Sequence, residues 1–386
     1  MKLRLLLAAM VMVLLSCAGP EQAAPPSATP APELGSKAPS QPALSAWEVK
    51  WEQVSRVAKS EGKVVVYTGI GSELRGDLIK AFKSRYKDIE LEFFAGRGPE
   101  ITQKLLSEQK AGLFLADLYI SGATTPLTSL KPVGALEPLE PYLILPEVLD
   151  PTVWFEGQLP YIDKGKFILA FMARPNPPLT INTGMVKENE IKGYKELLDP
   201  KWKGKIVMDD PTQGGPGLKW FGVVGTRILN MDYMREFAKQ EPVPMRDARL
   251  AVEWVAHGKY PIGLSLQSPI VTEFQKAGAP LIQVSPIEGD YITSGFGTVA
   301  VVKNPAHKNA ATLFVNWLLS KEGELAWSKS ELRQSARNDI PIDHLDKIHV
   351  RQPGIRYVSG DDEDLLLEQP KQAELAKEMF KAMLGR

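Results

Sequence analysis

Several short stretches place glycine, serine or threonine where a strand gives way to a helix: Gly71 with Ser72, Ser121 and Gly122 with Thr124, Asp210 with Thr212, Gln267 with Ser268, and Thr293 with Ser294. Backbone N–H groups and hydroxyls at the positive end of a helix favour negative charge. Converging on one cleft, these stretches suit a carboxylate, phosphonate, sulfonate or phosphate carried by a small organic molecule. Arg97, between two glycines, and Arg174 bring cationic side chains to the same pattern. Tyr67, Trp154, Tyr291 and Phe296 are placed to wall such a cleft, since small-molecule sites are mostly apolar with a few converging polar groups.

The patterns that would carry catalysis are missing. Asp209 and Asp210 are adjacent, and neighbouring strand residues point to opposite faces, so they cannot act as a carboxylate dyad. One of them forms a turn or holds an ammonium or hydroxyl group. The glycine pairs Gly69/Gly71, Gly96/Gly98 and Gly295/Gly297 lack the third glycine of a dinucleotide fingerprint, and no Gly-Lys is followed by Ser or Thr. Neither a nucleophile elbow nor a His-Glu-x-x-His zinc motif occurs. His257, His307, His344 and His349 have no zinc spacing and read as surface residues, and the acidic run 361–364 reads as a solvated helix start. No catalytic residue, metal ligand set or cofactor is expected.

The elements that must position these groups follow an α/β rhythm. Val64-Val65-Val66-Tyr67 is a strand buried on both faces, Gly69 and Gly71 turn the chain, and Leu74, Leu78 and Phe82 continue at helical spacing. Strands over 89–94 and 116–120 flank a helix that opens at Gly98-Pro99-Glu100 and stops at Gly112. This order implies a parallel sheet with right-handed crossovers. A proline-rich stretch over 131–161 marks a crossing, and a second series follows. It has strands over 167–172, 206–208, 261–266, 281–285 and 298–302, helices over 218–229, 246–256 and 268–278, and an amphipathic helix over 309–319. A last surface helix is expected over 371–384.

The chain begins with a leader, Lys2 and Arg4 followed by an apolar run over 5–15. As a helix that run reaches about 16 Å, too short for a hydrocarbon core of about 30 Å. Residues 1–16 read as a signal peptide ending in a lipobox-like Leu14-Leu15-Ser16-Cys17. Cys17 is the only cysteine, so lipid attachment explains it better than a disulfide. Residues 17–44, rich in Pro, Ala and Ser, form a tether that cannot bury enough surface to fold. The remaining residues suffice for two domains of about 150 residues each. Lys plus Arg and Asp plus Glu both total 46, which leaves no basic field for nucleic acid.

Four segments together resemble bacterial ABC-transporter solute-binding proteins of the family that includes ferric-iron binders. They are the run from Trp51 to Glu73, Ala116-Asp117-Leu118, Leu198-Asp199-Pro200-Lys201-Trp202-Lys203-Gly204-Lys205, and the stretch from His307 through Asn316-Trp317-Leu318-Leu319-Ser320-Lys321-Glu322 to Gly323. The resemblance implies two doubly wound α/β lobes joined by a two-strand hinge, ligand held in the cleft between them, and no catalysis. Lobe 1 is then expected over 45–140 and 289–319, lobe 2 over 141–288 and 320–386. It also implies a small-molecule solute and the transmembrane subunits of an ABC permease as partners. The expected protein is a monomer, exported and lipid-anchored through Cys17 at the outer face of the cell membrane or in the periplasm.

In ferric binders of this kind a histidine, a glutamate and adjacent tyrosines hold the metal. The matching positions here are Gly71, Gly122, Ser268 and Pro269, and no Tyr-Tyr occurs in the chain. Trivalent iron needs anionic oxygen or imidazole donors. The sequence therefore favours a small organic anion, with ferric iron as the alternative and an exported hydrolase on a similar scaffold as the second alternative. The ligand-binding residues expected are Tyr67, Gly71, Ser72, Arg97, Ser121, Gly122, Asp210, Thr212, Gln267, Ser268, Tyr291 and Ser294.

Overall fold

A computed structural model describes residues 44–187 and 189–384. The leader 1–16, Cys17 and the tether to residue 43 lie outside the described residues, as do Glu188, Gly385 and Arg386.

The first sheet holds β1 (Lys63–Thr68), β2 (Glu90–Ala95), β3 (Leu118–Ser121), β4 (Leu136–Glu137) and β5 (Ile168–Ala170). The crossing strands are β6 (Arg174–Pro175), β12 (Asp290–Thr293) and β14 (Tyr357–Ser359). The second sheet holds β7 (Leu179–Asn182), β8 (Ile206–Asp209), β9 (Val243–Met245), β10 (Ile262–Leu264) and β11 (Leu281–Val284). Strand β13 (Thr298–Val302) returns to the first sheet, whose order is β2-β1-β3-β13-β4 with β5 also on β13. The second sheet runs β11-β7-β10-β8-β9. β1 pairs in parallel with β2 and β3, as the strand and helix alternation requires, while β13 runs antiparallel to β3.

Each sheet has its own core. Val64, Val66, Leu118, Val299 and Val301 belong to the first, Leu179, Ile181, Ile206, Met208 and Ile262 to the second. Trp154, Phe171, Trp327 and Ala336 also lie in the first core, so 141–173 and 320–337 side with lobe 1, not with lobe 2 as expected. Leu365 and Phe380 lie in the second. The chain thus crosses three times, and the expected two-strand hinge is a three-stranded sheet of order β14-β12-β6. β12 lies inside a stretch that the sequence leaves without a periodic signal, because four residues between glycine-bearing turns are too few to show one.

Helix Ala46–Glu61 starts from Ser45, whose N–H and Oγ both donate to Glu48 Oε2 at 2.7 Å. This is the carboxylate half of a capping box. The helix closes at Gly62, where φ is 73°, the left-handed ending that glycine permits. Its last carboxylate, Glu61, accepts the backbone N–H groups of Asn309 and Ala310 and so caps helix Lys308–Leu319. Rather than amphipathic, as its sequence predicts, that helix is buried almost all round, because helices Ala46–Glu61 and Lys321–Glu331 and the first sheet cover it. Asp117, fully buried, accepts from the N–H groups of Val65 and His307 at 2.8 Å and contacts His307 Nδ1 at 2.9 Å. The Ala116-Asp117-Leu118 motif therefore fastens a sheet to a helix start. The last helix begins at Glu363, well before 371, because Asp362 caps it through Leu365 N–H at 2.9 Å and the helix runs on past Pro370.

Candidate functional site

The crossing enters both sheets at the carboxyl edge of their parallel strands. In lobe 1, Thr298 at the start of β13 lies opposite both Ser121 and Ala170, the last residues of β3 and β5. In lobe 2, Leu179 at the start of β7 pairs with Leu264, the end of β10, which itself pairs with Met208. The strand-end turns of both lobes therefore open toward the crossing strands, the arrangement in which open α/β sheets bind ligands.

In lobe 1, Gly71 caps helix Ser72–Arg85, and both Gly71 and Ser72 are exposed. Arg97, exposed and without an ion-pair partner among the described residues, precedes helix Gly98–Lys110. A Cβ on Gly122 would lie 3.1 Å from Gly295 O, and one on Gly295 would lie 2.8 Å from Arg174 Nε and 3.0 Å from its Cζ. Gly295 also has φ 58°, so both space and conformation demand glycine there. Phe296, 49% exposed, places its ring 3.4 Å from where a Gly69 Cβ would stand. Gly69, Gly122, Gly295, Phe296 and Arg174 thus form one continuous surface. Ser121 is turned inward, its Oγ donating to Gly122 O at 2.9 Å.

In lobe 2, Asp210 Oδ1 accepts the N–H (2.9 Å) and Oγ1 (2.7 Å) of Thr212, and Oδ2 accepts Arg246 Nε at 3.0 Å. Where the sequence has Asp210 and Thr212 meet ligand, the structure has them satisfy each other in a buried turn, a polar arrangement that enclosure demands. Burial raises the Asp210 carboxyl, but the Thr212 bonds and Arg246 outweigh it and hold the group below its ordinary value. Burial pushes neighbouring Asp209 up to about 6 while its Oδ1 accepts Gly217 N–H at 2.7 Å. Gln267 is exposed at the cap of helix Ser268–Lys276, whereas Ser268 is buried and its Oγ accepts Gln283 Nε2 at 2.9 Å.

The aromatic wall is mostly not where the sequence suggests. Tyr67 is buried in the lobe 1 interior with its hydroxyl on Glu108 Oε2 at 2.8 Å. Tyr291 is fully buried and its hydroxyl accepts Asn176 Nδ2 at 3.0 Å. Trp154 is fully buried and donates to Val148 O at 2.9 Å. For the two tyrosines the cause is that both faces of their strands are covered, so a residue one step from a turn points into a core. Burial raises the phenols of Tyr67 and Tyr291, so neither offers a phenolate. Phe296 alone of the four stands at the turns with an open ring.

Other expectations are also corrected. His349 is buried, and burial, with Arg333, pushes it down to about 4. Asp361 is buried too, not solvated: it accepts the N–H and Oγ of Ser294 and pairs with Lys219. Ser294 is therefore occupied with Asp361, although it lines, with Tyr161, Met172 and Thr293, a cavity of about 500 Å³ beside the crossing. Among the described residues no cluster of three or more His, Cys, Asp or Glu is arranged to hold a metal. None of the ten tyrosines lies in a strand-end turn. Sequence reasoning missed Lys219 and Arg246, whose partners Asp361 and Asp210 are distant in the chain, and Arg333, whose neighbour Arg174 is equally distant; none leaves a local signal.

Two α/β lobes joined by crossing strands, with helix starts turned toward the crossing, define a periplasmic binding protein of type II. The chain belongs to the bacterial extracellular solute-binding protein family, whose model matches residues 77–338. An uncharacterized protein of Haemophilus influenzae is 27% identical over 303 residues, 74% of this chain and 81% of the relative. The Trichodesmium protein IdiA (FutA), solved with iron and citrate, has TM-score 0.63 at 19% identity and covers 84% of this chain and 100% of its own. AfuA of Actinobacillus pleuropneumoniae, solved with fructose-6-phosphate, has TM-score 0.59 at 21% identity, covering 83% and 99%. At these identities the two structures establish the fold. Membership makes this chain an exported solute-binding component of an ABC importer, with a small-molecule ligand and a permease as partner. The family and these neighbours are binding proteins rather than enzymes.

Proposed function

We propose that this receptor captures a small organic anion between its lobes and delivers it to the permease, acting as a monomer held at the membrane by lipid on Cys17. One observation carries the reading. The turns facing the crossing present the helix starts at Ser72, Gly98 and Ser268 together with Arg97 and Arg174, while the carboxylates of the lobe 2 turn, Asp209 and Asp210, already have partners. Such a surface attracts negative charge and offers a bare cation nothing. Closure follows from contacts that only the closed state can make with both lobes, which shifts an open and closed equilibrium toward closed.

Iron is the second reading, favoured by the iron and citrate in the complex of IdiA. Its citrate makes an iron chelate, rather than bare Fe³⁺, the form consistent with an anion-seeking surface. Native mass spectrometry of the purified protein, followed by a thermal-shift screen, separates the readings. A solute at a hundred times its Kd adds about 2.7 kcal/mol of stability. Organic anions should raise the melting temperature; a rise with ferric salts alone would overturn the anion reading.

A further inference from the structure

We propose that Arg174 and Arg333 together anchor a single dianionic phosphoryl group at the crossing side of the cleft; this rests on the organic-anion reading above and specifies the charged end of the solute. The two residues are far apart in the chain, yet the backbone sets them side by side. Met172 bridges Ser335 in antiparallel fashion, Ala336 N–H donates to Phe171 O at 2.9 Å, and Ala173 N–H donates to Gln334 O at 3.2 Å. Continuing that register places Arg174 opposite Arg333, with Thr293 of β12 opposite Arg174 on its other side. Directly opposed residues share a face of the sheet, and the two guanidinium groups lie near enough for the charge on Arg174 to act on Arg333.

Neither has an anionic partner. Among the described residues the Arg174 side chain makes no hydrogen bond or ion pair, and its Nε is buried without an acceptor against Gly295. The Arg333 side chain donates only to Leu332 O at 3.0 Å. Glu331 and Asp346 act on Arg333 at longer range, and Glu331 Oε2 already accepts Trp327 Nε1 at 3.1 Å. His349, held neutral, adds no compensation. Arg351, also close by, already donates to Ala173 O, Ser335 O and Asn338 Oδ1. Burial and the charge on Arg174 push the Arg333 guanidinium down to about 10, as expected for adjoining cations with nothing between them.

Side chains on opposed strand positions start about 5 Å apart, close enough for two long side chains to reach a single centre. A phosphate monoester concentrates about −1.5 to −2 charges on one centre with three acceptor oxygens, which two guanidinium forks can share. A dicarboxylate spreads its charges to separate ends and fits this spacing less well.

Calorimetric titration of the full chain in detergent tests the anchor. The probes are inorganic phosphate, glycerol 3-phosphate, sulfate, acetate and succinate, with Arg174→Gln, Arg333→Gln, both lysine variants and Arg249→Gln as a surface control. Phosphate or its ester should bind at pH 7.5, with each glutamine variant lowering affinity at least tenfold, lysine restoring part of it and R249Q changing nothing. Phosphate affinity should fall several-fold at pH 5 as the group takes up its second proton, while sulfate affinity stays constant. Melting curves should show unliganded R333Q no less stable than the parent, which separates lost binding from lost folding. A tighter ester than free phosphate identifies an esterified solute, the reverse a free oxyanion, and both support the anchor. Binding of acetate or succinate but not of phosphate, unchanged in the glutamine variants, would overturn the anchor and leave the organic-anion reading standing. A response to ferric salts alone would overturn both.

Discussion

Asp361 Oδ2 accepts two hydrogen bonds from Ser294, one from the backbone N–H at 2.6 Å and one from the hydroxyl at 2.7 Å. The other oxygen pairs with Lys219, on the helix that follows β8 in the second lobe. A residue just after the third crossing strand thus ties the second crossing to a lobe 2 helix. Burial opposes the charge on Asp361, but Lys219 and Ser294 outweigh it and hold the carboxyl below its ordinary value.

Asp361→Asn should therefore destabilise the protein by about 3 kcal/mol, the cost of leaving one member of a buried ion pair alone. Because the folded pKa is depressed, the contribution is complete above the unfolded pKa and is lost as pH falls through the folded one. Urea melts of parent and variant should differ at pH 7 and converge in strong acid.

Asp290 at the start of β12 behaves in the opposite sense. Burial pushes its carboxyl up to about 7, Oδ1 accepts Tyr291 N–H at 2.7 Å, and Oδ2 has no partner. A raised folded pKa contributes stability that is complete below the unfolded value near 4 and is lost as pH rises toward 7, at about 1.4 kcal/mol per pH unit between the two. Asp290→Asn should flatten that slope in melting experiments between pH 4 and 8. A slope unchanged in the variant would show that Asp290 ionises normally.

Gly295→Ala forces a Cβ against the Arg174 guanidinium at a backbone φ of 58°. The expected cost is about 1–2 kcal/mol in stability, with a larger loss of solute affinity than of stability. Comparing the fall in melting temperature with the change in Kd for whichever solute the screen identifies checks both.

Asp210→Ala should cost about 1–3 kcal/mol by stranding the Thr212 N–H and hydroxyl, while solute affinity changes little. An affinity loss without a stability loss would return Asp210 to the ligand set.

Sequence reasoning reached the fold through local signals. Three consecutive valines before Gly69 define β1, and the Gly98-Pro99 start and the run from His307 define helices the structure contains. It placed the helix starts at Ser72 and Ser268 to within a residue, Gln267 rather than Ser268 being the cap of the second. It misplaced Tyr67 and Tyr291, since one residue of strand alternation separates a cleft wall from a core and periodicity is lost in strands covered on both sides. The proximity of Arg174 to Arg333 was out of reach for another reason. A cross-strand neighbour so distant along the chain is set by register, and register is a property of the folded chain.

The three-stranded crossing has a mechanical consequence. Two strands side by side leave the bodies they connect free to wring as well as to bend. Here β12 is hydrogen-bonded on one flank to β14 and on the other to β6, and the acidic start of the final helix reaches across to grip Lys131 and Lys164 through Glu363 and Asp364. Wringing would break that pairing, so the ribbon resists twist more than bend and favours closure about one axis, like a book on its spine.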